Sequence, residues 1–346
     1  MTTLAPTLRT QDASPETPRT APPPRTGRAL IEATRPYAQE SRRRSWWSVL
    51  EVTALIALFQ VFAVTAPHLA LRLSASVIAG LLIVRGFILF HDYQHRALLR
   101  KSKLAQLYFT VFGFLVLTPS KAWRDSHNYH HAHNAKIVGS HVGGFACVTT
   151  AMWEKMSPAD RRVYRLVRHP INIVLAYFTV FLIGMVISPL RRNPSKYRVN
   201  ILFLVGHAAI VAGLLYFAGL EVFALTYAVP LGVATSVGAL LFYVQHSFPD
   251  VEYQPRHEWT FGKAALDSSS FFDLPAPLHY LTGNIGYHHV HHLNATIPFY
   301  RLPEAMREVP ELSQPKTVRM RDIPACFRLK LWDADRGEMV PFPRDA

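Results

Sequence analysis

Residues 69–95 read LALRLSASVIAGLLIVRGFILFHDYQH, an apolar run that leads straight into two histidines four residues apart. As a helix its apolar part, to Phe90, measures about 33 Å, enough for a hydrocarbon core of about 30 Å. Arg72 and Arg85 lie towards the ends of that run, where long cationic side chains can snorkel. A span that delivers paired imidazoles to one membrane face sets the frame for the rest of the chain.

Working outward, further apolar runs cover Trp46–Ala66, Leu104–Thr118, Ile171–Leu190, Ile201–Leu220 and Val222–Val244. Half of the 346 residues are hydrophobic, and this clustering makes a bilayer part of the solvent. Lys and Arg exceed Asp and Glu by 37 to 23. Such an excess fits nucleic acid, anionic lipid or an acidic partner, and the apolar spans favour the membrane over nucleic acid. Cys147 and Cys326 are the two cysteines, so there is no disulfide framework and no four-cysteine iron–sulfur or zinc site.

Residues 1–45, rich in proline and arginine and lacking an apolar stretch, read as a disordered basic arm and not a signal peptide. Residues 46–305 form the membrane domain, and 306–346 a cytoplasmic tail within a final polar hundred residues that reads as a soluble cap.

The histidines fall in three clusters. His91 and His95 share a helical face at i, i+4. WRDSHNYHH (123–131) places His127, His130 and His131 at i, i+3, i+4, and HHVHH (288–292) repeats that spacing with His288, His291 and His292. His133 and His289 fall off those faces. Eight imidazoles exceed the needs of one ion and suit two. Imidazole serves Zn, Cu, Fe and Ni alike, so the spacing alone does not choose the metal. A single site demands that all three clusters lie on one side of the membrane. Parity then makes 104–118 and 171–190 re-entrant or interfacial. Arg191, Arg192, Lys196 and Arg198 place the following loop in the cytoplasm. The expected architecture is an all-α membrane protein with four transmembrane helices, two partial segments and a cytoplasmic cap holding the site. Both termini and the site then share the cytoplasmic side.

The pattern H-x3-H, W-R-x-S-H-x2-H-H and H-x2-H-H resembles the membrane fatty acid desaturase family over about residues 46–305. Within it, WRDSH (123–127), Gln245-His246, GNIGYH (283–288) and Arg301-Leu-Pro303 look most like the acyl-lipid omega-6 (Δ12-type) branch. The resemblance implies two irons held by His91, His95, His127, His130, His131, His288, His291 and His292. His246, at the end of the last span, is the expected ninth ligand. It also implies O2 as co-substrate, an unactivated methylene of a lipid acyl chain as the reacting group, and no catalytic residue beyond the ligands.

Asp92 and Asp125 adjoin ligands and are candidates to orient imidazoles. Asn284 is a candidate for a metal-bound water if the third histidine helix starts early, with a helix-cap role as the alternative. His207, inside a span, reads as a hydrogen-bonded buried histidine. With no dinucleotide fingerprint, cysteine cluster or haem-binding H-P-G-G motif, electrons come from an external donor, a ferredoxin or a cytochrome b5-like protein. The rival readings are a related di-iron hydroxylase or ketolase acting on a lipid, alkane or carotenoid, and a non-catalytic metal-binding transporter.

Overall fold

The computed structural model describes residues 23–137 and 142–343. Helices α1 (Arg42–Thr65) and α2 (Leu69–Gln94) form an antiparallel pair joined by Ala66, Pro67 and His68. Both are long and apolar enough to cross a membrane, as is the helical stretch Asn200–His246. That third stretch bears many outward apolar side chains; Phe217 is 85 % exposed. A helix apolar all round and unburied has lipid as its solvent.

Asn200–His246 is not one rod. At Gly219 φ is +82°, a conformation that favours glycine, and the chain folds back on itself. His207 before the break bonds the Tyr227 hydroxyl after it at 2.5 Å, whereas twenty residues of straight helix would hold them about 30 Å apart. The two arms carry helices α5 (Asn200–Gly213) and α6 (Val229–His246); α3 (Lys103–Leu115) and α4 (Ser120–His133) precede them. α6 packs tightly on α2: a Cβ at Gly80 would come within 2.7 Å of the Val233 Cβ.

Helix α3 is about 20 Å long, and His95 before it and His127 after it have ring centroids 4.9 Å apart. Residues Tyr177–Ile187 lie between α4 and α5 as π-helix. Arg85 does not snorkel. It is buried, donates to the Tyr280 carbonyl at 2.6 Å, and lies 3.5 Å from Glu51. Arg72 does stay near its helix end, paired with Glu221 at 2.5 Å.

The cap departs from the all-α expectation by a few short strands. β1 (Val148–Thr149) runs parallel to β4 (Leu331–Asp333), which pairs antiparallel with β5 (Glu338–Val340), and β2 (Phe271–Asp273) runs parallel to β3 (Thr317–Arg319). Three of these strands come from beyond residue 305. Leu312, Cys326 and Leu331 are fully buried, so the described part of 306–346 is woven into the cap and is no appended tail.

The basic arm is corrected in the same way. Residues 1–22 lie outside the described residues, but Gly27–Ala33 is helical and buries Leu30. Leu30 and Tyr37 pack with Val290, Leu293 and Leu302. Arg25 grips Glu311 through two bonds of 2.7 and 2.8 Å, and Asn294 donates to the Thr34 hydroxyl at 2.9 Å. Proline-rich composition hid a segment whose few apolar residues find a partner only in the folded cap.

Candidate metal centre

Each histidine arrives from a helix end. The α2 helix runs to Gln94, with His91 in its last turn and His95 as its C-cap. Arg96, at φ +62°, then turns the chain away. α4 carries His127, His130 and His131, and α6 ends on His246. Helix α7 (His288–Leu293) is a short buried helix, HHVHHL, with four histidines among its six residues. A tight loop sets it in place: the Gln245 amide donates to the Ile285 carbonyl at 2.9 Å, and Phe272 N–H donates to the Gly286 carbonyl at 2.8 Å.

The nine expected histidines come together in two groups. His91, His95, His127, His131 and His291 form one; His130, His246, His288 and His292 form the other. Within each, the candidate ligand nitrogens lie within 4.8 Å of one another. The partition has a simple rule. In α4 the i, i+4 pair His127/His131 serves the first group and the i+3 residue His130 the second. In α7 the pair His288/His292 serves the second and His291 the first. The two helices interlock, each feeding both groups.

The nitrogens fit ions. Nε2–Nε2 separations are 3.2 Å for His91–His127 and His127–His131 and 3.1 Å for His131–His291. In the other group they are 3.1 Å for His130–His246, 3.3 Å for His130–His292 and 2.9 Å for His288–His246. Imidazole nitrogens about 2.1 Å from one shared first-row ion, at angles of roughly 90–105°, lie this far apart.

Two of the rings have a partner for the Nδ1 proton. His91 Nδ1 faces the Asp92 carboxylate at 3.0 Å and His246 Nδ1 the Ser268 carbonyl at 3.1 Å, so each Nε2 keeps its lone pair for an ion. His95 Nε2 is buried and has no hydrogen-bond partner among the described residues; an ion would satisfy it. Burial, and then the neighbouring imidazoles, push His127, His130, His288, His291 and His292 well below the usual histidine range. They are neutral, the form that ligates.

A cavity of about 990 Å³, lined largely by apolar side chains, reaches His91, His127 and His288, so it touches both groups. Phe87 and Trp123 flank it from α2 and α4. A shallower opening of about 430 Å³ reaches His95, His131 and His292 beside Trp259 and Phe261.

A family profile described as fatty acid desaturase matches residues 67–324, three quarters of the sequence. The chain belongs to the fatty acid desaturase family. It is 33 % identical over 274 residues to a fatty acid desaturase of Bacillus subtilis, covering 79 % of this chain and 78 % of that one. It is 25 % identical over 268 residues to the sn-1 oleoyl-lipid 12-desaturase of Synechocystis, covering 76 % and 75 %. The sn-1 acyl-lipid omega-3 desaturase (ferredoxin) of Nostoc is 24 % identical over 243 residues, covering 64 % and 63 %.

The other candidates separate cleanly. Asp92 is buried with one oxygen on His91 and the other accepting from Phe299 N–H at 2.7 Å. Asp125 reaches no imidazole among the described residues; its carboxylate bonds Lys196 and the Tyr197 hydroxyl, each at 2.8 Å. Asn284 is not on the α7 face, because that helix starts only at His288; it sits in the preceding turn at φ +55° and donates to the Phe299 carbonyl at 3.2 Å. His133 stacks on Tyr129 at 3.8 Å, and His289 turns to the Leu312 carbonyl at 3.2 Å. His207 is a hydrogen-bonded buried histidine, as expected, between Tyr227 and the Phe114 carbonyl. Sequence reasoning missed the Ser268 carbonyl that orients His246, and no signal could have found it, since a carbonyl is common to every residue.

Proposed function

We propose that this desaturase inserts a cis double bond into a lipid acyl chain, at an omega-6 (Δ12-type) position, with two irons held by His91, His95, His127, His131 and His291 on one side and His130, His246, His288 and His292 on the other. The observation that carries the reading is the largely apolar cavity of about 990 Å³ that meets imidazoles of both groups. The balance is one –CH2–CH2– unit, O2, two electrons and two protons giving –CH=CH– and two waters.

When bound, the irons supply the activation of O2 and the removal of hydrogen from the methylenes. The chain supplies the rest. Each methylene buried in the cavity contributes about 0.8 kcal/mol, and Phe87, Trp123 and Ile285 keep water from the reacting carbons. Asp92 and the Ser268 carbonyl hold the rings of His91 and His246 in register.

Four crossings fit this reading, α1, α2 and the two arms of Asn200–His246, with the site and both termini on the cytoplasmic side. Electrons arrive from an external carrier, a ferredoxin or a cytochrome b5-like protein; the ferredoxin named for the Nostoc relative and the net charge of +14 support an acidic one. The test is expression in a host whose lipids hold only saturated and monounsaturated chains, with a reduced ferredoxin supplied, and mapping of double bonds by mass spectrometry. A new diene at the Δ12 position is expected. Hydroxy or keto products would keep the metal centre and overturn the reaction type.

A further inference from the structure

The largely apolar cavity has a charged mouth. One continuous space runs from His91, His127 and His288 to Ser188, Arg192, Lys196 and Tyr197. An acyl chain lying in it with its methylenes at the imidazoles would present its polar end to these four residues. Arg192 has no carboxylate partner among the described residues, so its guanidinium is available for an anion. Lys196 is held by Asp125 at 2.8 Å, and Tyr197 donates to the same carboxylate at 2.8 Å. Asp125 itself stands on α4, two residues before His127. The basic mouth is therefore tied by a carboxylate to the helix that carries ligands of both metal groups.

Resting on the desaturase reading, we propose that Arg192 and Lys196 bind a phosphate of the molecule that carries the acyl chain, and that Asp125 sets the distance from that phosphate to the metal centre. Burial of methylenes discriminates poorly between neighbouring registers, since each step exchanges one CH2 for another of equal worth. A fixed anionic contact at one end supplies the missing reference point. Arg gives a planar fork that matches phosphate, and Lys a compact charge beside it. The phosphate belongs either to a phospholipid headgroup or to the phosphopantetheine of a thioester.

The experiment compares wild type, Arg192→Gln/Lys196→Gln and Asp125→Asn, each checked for wild-type metal content. The purified proteins are loaded with dioleoyl phosphatidylglycerol, dioleoyl galactosylglycerol or oleoyl-coenzyme A, and the retained lipid is counted. Double-bond positions are mapped in the expression host. The double variant is expected to retain about tenfold less phosphatidylglycerol and unchanged galactolipid. Asp125→Asn is expected to spread the double bond over adjacent positions. A loss confined to oleoyl-coenzyme A would support the phosphate site and assign it to a thioester. Equal retention of all three by wild type and the double variant overturns the proposal. Wild type that retains phosphatidylglycerol through Arg192 and Lys196 yet forms no double bond overturns the desaturase reading and leaves the phosphate site standing.

Discussion

The two histidine groups share α4 and α7, with α2 adding His91 and His95 to the first and α6 adding His246 to the second, yet they differ in support. The first has five imidazoles, and behind His91 stands a buried carboxylate, Asp92, itself pinned by Phe299 N–H. The second has four, and behind His246 stands only a backbone carbonyl, that of Ser268. One group holds a spare ligand and a buried carboxyl group close by; the other has neither. The difference implies that the four-histidine group tolerates less damage, although both draw on α4 and α7.

The largest effect comes from striking both groups at once. His130→Ala/His131→Ala removes one imidazole from each and is expected to abolish desaturation and lower iron below one per chain, read by elemental analysis. Next comes the contrast between single losses. His246→Ala leaves three ligands and is expected to release one iron. His95→Ala leaves four and is expected to keep two, with activity down about tenfold, a loss of about 1.4 kcal/mol. Equal iron loss in both variants would erase the asymmetry.

A smaller effect is expected at Asp92. Replacing a carboxylate behind a ligating histidine costs about 10–100-fold in metal affinity, so Asp92→Asn should weaken one iron and spare the other in a chelator titration. Loss of both together would show that the groups bind as a unit. Smallest is His133→Ala. This ring stacks on Tyr129 outside both groups, so iron content is expected to hold and stability to shift by no more than about 0.5 kcal/mol. A drop in iron would place His133 in the centre after all.

The legible and the illegible parts divide along physical lines. The i, i+3, i+4 spacing showed which histidines share a helical face, because that periodicity is a property of the local backbone. It could not show that the pair at i, i+4 goes to one group and the i+3 residue to the other, since the partition depends on how α4 and α7 cross. Asp92 and Asp125 are both acids beside ligands and looked equivalent in the sequence. Burial beside Phe299 made one a support for His91, and solvent beside Lys196 made the other the holder of a loop. Asn284 missed the α7 face because the helix begins four residues later than an early start required.

What the sequence by itself determined is therefore the local chemistry: apolar runs of membrane length, imidazoles on common faces at their ends, and the family those motifs mark. The tertiary structure alone decided the rest. It folded Asn200–His246 back at Gly219, drew His246 into a group with His130, His288 and His292, and clasped part of the expected disordered arm onto the cap through Leu30 and Arg25. The reason is range. Spacing along one helix is fixed by bonds a few residues long, whereas contacts between residues a hundred or more apart exist only once the helices have packed.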